Sequence, residues 1–584
     1  MRVGAPVGEL DQGHPRKWLI LWVVALGMFM ALLDSTIVNI AIPAIVTDLK
    51  TNISVVSWVL NAYNIGLAVF FLTFGRLADR YGQRLIFLSG LFMFGGFSLA
   101  CGLAPNIGWL IIFRVGQSLG AAAMVPVSLT ILMSAFPRHQ HGMATALWGV
   151  MGSVAAAVGP TLGGVLTQYA SWHWIFFVNV PIAVITIAGT LWLVPEHKRA
   201  GGEAGVDLPG IVLSGAAFFA LTLGLIQGNA WHWSSWRVIG LLVAAVALLV
   251  GFGFWESRAR SPMLNLQLFR IRSFVSATGS MFFIGTAVGG ALFLIVIYMV
   301  NVLGYTELRA ALAVTPMPAV GLILGPPIGK FMNKIGPSVL AAVGGVLFAV
   351  GLVFMAQLGP NAGIGDVAWR IVILGGGFTF SMPALTAAGM GSLPDRARGV
   401  GSGVINTGRQ FGFVLGVAIL VAIFTFTITG ATTSAVGEAK SYVNSQSQIP
   451  AAAKQQIDAA LDRAAADNAG GAGMGEGQKI DPLAGAPQAA AGSPQAALEQ
   501  QLGVALGKIF RTNIAGAFRW PYYAGAIMAL LSIPFSVSIG RKIGQHREEH
   551  GVPPEGTGQT MAAIGEAAAP PGARDAGAAH QEAT

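Results

Sequence analysis

Apolar residues in this chain come in long runs, and the runs recur. Each holds about 20 mostly apolar residues, the length a helix needs to cross a hydrocarbon core about 30 Å thick. Short segments rich in Gly, Pro and charge separate them. The pattern predicts fourteen spanning helices near residues 18–46, 54–74, 85–103, 109–135, 142–168, 174–194, 208–228, 236–255, 274–303, 310–332, 337–358, 367–392, 399–429 and 516–540. The fold expected is an all-α polytopic membrane protein.

Charge in the connecting segments alternates from one loop to the next. One set carries Arg76, Arg80 and Arg84, then Arg138, then Lys198 and Arg199, then Arg258, Arg260, Arg270 and Arg272, then Lys330 and Lys334, then Arg396 and Arg398. The short loops between them hold only Lys50, Arg237 and Arg309. Positively charged loops stay in the cytoplasm, so the first set is expected there together with both termini. The first apolar run is too long for a signal-peptide core and lacks a small-residue cleavage site, so it is expected to remain as helix 1. The natural location is a membrane, crossed many times.

Composition agrees and narrows the function. Of 584 residues 54% are hydrophobic and 10% charged, which excludes soluble globular classes. The 78 glycines suit spanning helices that pack closely. A net charge of +9 follows from loop topology and does not point to nucleic acid. Cys101 is the sole cysteine, which excludes an intrachain disulfide. No Gly-x-x-x-x-Gly-Lys-Ser/Thr phosphate loop and no His-Glu-x-x-His zinc motif occurs, which argues against an ATP-driven pump and an intramembrane metalloprotease. No metal site and no enzyme activity are expected. Trp-His-Trp occurs twice, around His173 and His232, and is read as interfacial aromatic anchoring rather than pH or metal sensing.

The two ends of the chain echo each other. Gly75-Arg-Leu-Ala-Asp-Arg-Tyr-Gly82 matches Gly329-Lys-Phe-Met-Asn-Lys-Ile-Gly336 at an offset of 254, Arg114 matches Arg370 at 256, and Phe136-Pro137 with Gly142 matches Leu393-Pro394 with Gly399 at 257. Near-constant spacing predicts a duplicated six-helix unit, with the substrate path between the copies. The domains expected are an N-terminal segment (1–17), a six-helix bundle (18–200), two inserted helices with a linker (201–272), a second bundle (273–545) and a disordered tail (546–584). Residues 430–515, rich in Ala, Gln, Gly and Pro, form an external insertion inside the second bundle. It is read as a mobile, weakly helical loop, with short helices starting at Pro450 and at Ser493-Pro494. A gate or an external partner is its functional alternative.

One ionisable residue stands apart. Asp34 lies deep in the first apolar run, 16 residues after Trp18 and roughly 24 Å into the membrane. A carboxylate at that depth costs about 2.5–3.5 kcal/mol, so it is expected to face a partner or a wet cavity. Helix 4 runs the opposite way from Trp109, which brings Arg114 to a depth roughly 8 Å below the outer surface. The depths match, and Asp34 and Arg114 are predicted to face each other or to share one cavity. Burial favours protonated Asp34 and Arg114 favours the ionised form, which is the balance a proton-coupling site needs. A static ion pair joining helices 1 and 4 is the structural reading of the same residues.

These residues and their order resemble the major facilitator superfamily, in particular its fourteen-helix drug/proton antiporter branch. Helix 1 carries Leu33-Asp-x-Thr-x-Val-Asn39, the helix 2–3 loop carries Gly75 to Gly82, and helix 4 carries Arg114-Val-Gly-Gln117-Ser-Leu-Gly120. Helix 5 carries Gly159-Pro160-Thr-Leu-Gly163-Gly164, and helix 13 opens with Gly401-Ser-Gly-Val-Ile-Asn406-Thr-Gly-Arg409-Gln410. The chain departs from the pattern at Gln83, Ala155 and Asn301.

The resemblance implies proton-coupled export of amphipathic or lipophilic, often cationic, drugs by alternating access, driven by the proton gradient without a cofactor. Asp34 and Arg114 become the proton-coupling pair. Gly75, Asp79, Arg80, Gly82 and Arg84 become the gating loop, with Asp79 just before helix 3 and positioned to meet helix N-termini and Arg80 or Arg84. Gly159, Pro160, Gly163 and Gly164 become a flexing seam between the halves, with plain packing as the alternative. Trp58, Asn61, Asn406 and Arg409 are candidates for the substrate cavity, Trp58 and Asn61 being open to a helix-contact role as well. The partners implied are a small amphipathic or lipid-like substrate, protons and the bilayer. A dedicated exporter of one lipid, antibiotic or metabolite is the nearest alternative, and a non-transporting membrane sensor a more distant one.

Overall fold

A computed structural model describes residues 13–196, 207–468 and 494–539, except residues 52, 229, 230, 260, 261, 263, 265, 395, 396, 447 and 448. Among the described residues the chain forms α1 (Lys17–Asp48), α2 (Ile53–Tyr81), α3 (Gln83–Gly102), α4 (Ile107–Ala135), α5 (His141–Tyr169), α6 (Trp174–Phe177) and α7 (Asn179–Leu193). The inserted pair is α8 (Leu208–Gln227) and α9 (Trp236–Glu256). Then come α10 (Arg272–Asn301), α11 (Glu307–Val314), α12 (Pro316–Ile335), α13 (Pro337–Ala356), α14 (Ile364–Gly391), α15 (Arg398–Ser445), α16 (Ala451–Asn468), α17 (Pro494–Ala517) and α18 (Arg519–Ser538). Twelve helical stretches among the described residues are long and apolar enough to cross a membrane. Helix α5, and α11 together with α12, occupy the places of the other two expected spans without reaching that measure. The N- and C-terminal tails lie outside the described residues.

Two bundles emerge from the packing. In the first, α1 lies against α4, α5 and α7, while α4 also packs on α2 and α3. In the second, α10 lies against α15 and α18, and α13 against α14 and α18. The bundles meet where α2 touches α15 and where α5 touches α12. The inserted α8 packs on α9 and α2 and reaches α15, where Phe218 and Phe411 have ring centroids 5.0 Å apart. Val243, Val246, Val250 and Phe254 leave α9 with an exposed apolar face, as a helix bordering lipid requires.

Matching details at matching positions support the duplication. Gly82 and Gly336 start α3 and α13 with φ of 106° and 85°, a region that glycine enters without steric penalty. A crossing not singled out from the sequence repeats as well. A β-carbon on Gly120 of α4 would meet Phe94 N at 2.5 Å and Gly90 O at 2.7 Å, so the backbones of α3 and α4 touch. A β-carbon on Gly377 of α14 would meet Phe348 N at 2.5 Å and Gly344 O at 2.8 Å, joining α13 and α14 the same way. Close small-residue crossings of this kind hold spanning helices together by packing, since lipid tails supply no hydrophobic drive between them.

The external insertion differs from expectation. Residues 430–445 are not a loop: α15 continues without a break to Ser445. The reason is an apolar stripe at helical spacing. Ala435, Ala439 and Val443 are buried on α15, facing Ile457 and Leu461 of α16 and Leu502, Leu506 and Phe510 of α17. A Lys440–Asp462 ion pair of 2.7 Å and an Asn513–Glu438 hydrogen bond of 3.0 Å fasten the exterior. The expected start of α17 at Pro494 agrees, while residues 469–493 lie outside the described residues. The first Trp-His-Trp also departs from simple anchoring. Trp172 is buried, donates to Asp48 Oδ2 at 2.9 Å and stacks on His173, whereas Trp174 is exposed.

Candidate functional site

Asp34 is completely enclosed by α1, α2, α3, α4, α6 and α7, and so is Arg114. Asp34 Oδ2 accepts from Arg114 Nη1 in a direct ion pair. Asp34 Oδ1 accepts from Gln117 Nε2 at 2.8 Å and from Asn179 Nδ2 at 3.2 Å. Both carboxylate oxygens are therefore met by donors, one cationic and two neutral. The arginine is held independently: Nε donates to Val59 O at 3.0 Å, Nη1 donates to Gln117 Oε1 at 2.8 Å, and the guanidinium carbon lies 4.2 Å from the Tyr63 ring centroid. Tyr63 is itself fixed by its hydroxyl, which donates to Ala31 O at 2.9 Å. Arg114 Nη2 and Asn179 Oδ1 are buried without a hydrogen-bond partner.

A second ring of polar atoms supports the first. Ser98 Oγ donates to Phe176 O at 2.9 Å and accepts from Gln117 Nε2 at 3.2 Å and Asn179 Nδ2 at 3.1 Å. Four helices thus converge on one carboxylate through Gln117, Asn179, Ser98 and Tyr63, none of which the sequence reading named as site residues. Gln117 was in plain view, one turn beyond Arg114 and on the same helix face. Asn179 carried a weaker signal, as an amide within an apolar run.

At the basic end of the bundles, Asp79 lies in the last turn of α2 rather than just before helix 3. Its Oδ1 accepts from Gly399 N at 3.0 Å and its Oδ2 from Val400 N at 2.9 Å. These amides belong to the first turn of α15, whose unsatisfied N–H groups and dipole attract an anion. Glycines let the backbones close: β-carbons on Gly75 or Gly399 would collide with the opposing helix, and one on Gly403 would meet Phe71 O at 2.9 Å. The basic residues act elsewhere than expected. Arg84 Nη2 donates to Leu191 O at 2.7 Å at the end of α7, and Arg80 lies over Tyr81 with its guanidinium carbon 5.3 Å from the ring centroid. Gln83 accepts from Ser134 Oγ at 3.0 Å, linking α3 to α4.

The helix 5 motif also sits differently. Gly159 and Gly163 face Thr36 and Ile37 of α1, inside the first bundle, and not the other half. Gly164 is half-buried, and the side chain of Pro160 is outside the described residues. The contact of α5 with the second bundle includes Met143 and Val150 against Gly329 and Gly325 of α12, and α5 also packs on α11 and α14. Close packing therefore explains the motif glycines, and they pack beside the helix segment that carries Asp34.

The four cavity candidates do not come together. Trp58 joins the apolar contact of α2 with α8, around Ile65, Val69 and Leu223, so it is a helix-contact residue, and Asn61 is half-buried one turn further along α2. Asn406 and Arg409 do adjoin: Arg409 Nη2 donates to Asn406 Oδ1 at 3.1 Å, and Asn406 Nδ2 donates to Ser402 O at 2.9 Å. Ser402 Oγ donates to Pro126 O at 2.8 Å and so ties α15 to α4 across the interface of the bundles. Among the described residues, no carboxylate forms an ion pair with Arg409.

The family model described as Major Facilitator Superfamily matches residues 24–417. The chain belongs to that superfamily. Its similarity to curated members is strong: it is 36% identical to the tetracenomycin C resistance and export protein of Streptomyces glaucescens over 69% of this chain and 75% of that protein. It is 31% identical to the multidrug export protein EmrB of Escherichia coli strain K12, over 70% of this chain and 80% of that one. Among solved structures, the human organic anion transporter MFSD10 (TETRAN) matches with a TM-score of 0.53 and 13% identity, covering 70% of this chain and 94% of that one, and supports the fold alone. This member of the superfamily is therefore a multi-pass helical membrane protein whose buried Asp34 cluster and Asp79–α15 contact lie within the matched region.

Proposed function

We propose that this chain is a proton-coupled antiporter that exports amphipathic or lipophilic, often cationic, drugs by alternating access, with Asp34 as the proton-carrying group and Arg114 as its counter-charge. The observation that carries the reading is the enclosure of one carboxylate by one cation and two neutral donors. A purely structural ion pair inside a membrane protein is a weak source of stability. A carboxylate that keeps Asn179 of α7 as a neutral donor remains hydrogen-bonded when α4 shifts away with Arg114 and Gln117 and a proton takes the place of the cation. Gly159 and Gly163 bring α5 against α1 beside this point, so motion of α5 reaches Asp34 directly. Asp79 on the first turn of α15 latches the basic ends of the two bundles, and release of that latch opens the path on that side.

By the loop charges, the latched side is the cytoplasmic one, both termini share it, and the protein resides in a bacterial cytoplasmic membrane. Arg409 with Asn406, where α15 faces the other bundle, is the pair proposed to meet substrate. The names of the relatives, drug and antibiotic export proteins, support this substrate class. The energy source is the proton gradient, with no bound cofactor assigned.

The test is dye movement in proteoliposomes under an imposed pH gradient. Wild type is expected to move a fluorescent cationic dye uphill and Asp34→Asn to lose that movement. Uphill movement by Asp34→Asn equal to wild type would end the proposal. A dedicated exporter of one lipid, antibiotic or metabolite is the second reading, favoured by the ordered α15–α17 extension and by the similarity to a tetracenomycin exporter. It would lead if folded wild type moved no dye but displaced one such compound.

A further inference from the structure

The inserted helices hold a second acidic centre that the Asp34 mechanism does not use. Asp207 caps α8: its Oδ1 accepts from Gly210 N at 3.0 Å and from Trp255 Nε1 of α9 at 2.8 Å. Glu256 ends α9, is only 4% exposed, and its Oε2 accepts from Leu264 N at 3.1 Å in the linker leading to α10. One oxygen of each carboxyl is thus satisfied. The remaining two, Asp207 Oδ2 and Glu256 Oε1, are buried without a donor.

Those two oxygens point at the same spot. A β-carbon on Gly210 would collide with Asp207 Oδ2 and lie 2.9 Å from Glu256 Oε1, so only glycine leaves room for the pair to meet. Both oxygens lie within 3 Å of that one point, so the two carboxyls are close neighbours. Acceptors cannot satisfy each other. Either a cation or a proton must stand between them, since two ionised carboxylates at this spacing repel strongly. A metal ion would need more ligands, and among the described residues no group of three or more His, Cys, Asp or Glu could hold one.

Among the described residues, Arg76 and Arg258 are the charges to weigh, while His197, Lys198, Arg199, Glu203 and Arg260 lie outside them. Arg76 of α2 is close enough for its charge to act on Glu256, and it follows Gly75 in the latch motif. Two residues past the end of α9, Arg258 packs over Phe254, with its guanidinium carbon 3.6 Å from the ring centroid. We propose that Asp207 and Glu256 form a carboxyl–carboxylate site that holds one proton at the basic end of the inserted helices. With the proton in place, the start of α8, the end of α9 and the Leu264 linker are tied together. On its loss, two like charges are left side by side within reach of the Arg76 charge, so the pH on that side of the membrane acts on the end of α2 that carries the latch.

The test is infrared difference spectroscopy on the full-length protein in nanodiscs, stepping the pH across neutrality. Wild type and Asp34→Asn are expected to share a carboxylic C=O band that vanishes as pH rises. Glu256→Gln, an uncharged stand-in that can donate to Asp207, should lack it. Asp207→Asn keeps a helix cap and should move the band's midpoint to lower pH by about one unit or more, a tenfold change in proton affinity. An unchanged band in Glu256→Gln, or an unmoved midpoint in Asp207→Asn, overturns the proposal. Thermal melting gives an independent reading. Wild type should lose stability as pH rises through the midpoint while Glu256→Gln stays level, and parallel curves would refute the shared proton. Neither measurement depends on transport, so failure here leaves the antiporter reading standing.

Discussion

Removing both charges of the Asp34–Arg114 pair should damage the fold less than the two single removals added together. In Asp34→Asn the guanidinium of Arg114 stays fully buried with Val59 O and Gln117 Oε1 as its remaining acceptors and the Tyr63 ring beneath it. Breaking one side of a buried ion pair costs about 3–5 kcal/mol, because the partner charge is stranded. Arg114→Gln strands the carboxylate instead, but Gln117 and Asn179 still donate to it, so its cost lies at the low end of that range. The double variant Asp34→Asn, Arg114→Gln places two neutral amides face to face and strands nothing. Its loss should fall below the sum of the singles by about 2–3 kcal/mol. Unfolding titrations of the four purified proteins in mixed micelles measure this cycle directly. A coupling below about 0.5 kcal/mol would refute the reasoning and mean that Val59, Gln117 and Tyr63 hold Arg114 without Asp34. Uphill transport should be lost in both variants that lack the Asp34 carboxylate.

Three further outcomes follow from the packing. Asp79→Asn keeps one acceptor for α15 but loses the charge and one hydrogen bond, about 1–2 kcal/mol, which shifts the latch equilibrium toward open by about 5–30-fold; spin-label distances between the basic ends of α2 and α15 should lengthen, and unchanged distances would count against a latch. Gly120→Ala and Gly377→Ala each force a β-carbon against a neighbouring backbone and should destabilise by similar amounts, about 1–3 kcal/mol, in the same unfolding assay. Leu461→Ala or Leu506→Ala removes a fully buried side chain from the extension at a cost of about 2–5 kcal/mol, so hydrogen exchange should quicken in residues 435–445 while α10 and α13 stay protected.

The spanning helices and the Asp34–Arg114 contact were legible because membrane burial makes charge conspicuous. A carboxylate and a guanidinium at matching depth in apolar runs announce themselves; the amides that complete the site do not, since Gln and Asn occur on helix surfaces for many reasons. The partner of Asp79 was out of reach for a different reason. It consists of backbone N–H groups 320 residues away, and backbone donors leave no mark in a sequence beyond a glycine such as Gly399. The glycines of helix 5 misled because a small-residue face says that something packs closely without saying what. The extension misled because alanine-rich segments lose the hydropathy of a span long before they lose the propensity to be helical. Its Ala435, Ala439 and Val443 stripe held the information, at helical spacing.

Helix α15 runs for 48 residues without a break, a rod about 72 Å long. Its first turn is gripped by Asp79, and its far end stands in the α16–α17 cluster on the other side of the bundle. A rod of that length is a lever. A tilt of roughly 10° about its middle swings each tip by about 6 Å, in opposite directions. One unbroken piece of backbone therefore joins the Asp79 contact to the far end of the bundle. A fluorophore at Tyr442, near the distant tip, would report the state of the latch without touching the side on which the latch lies.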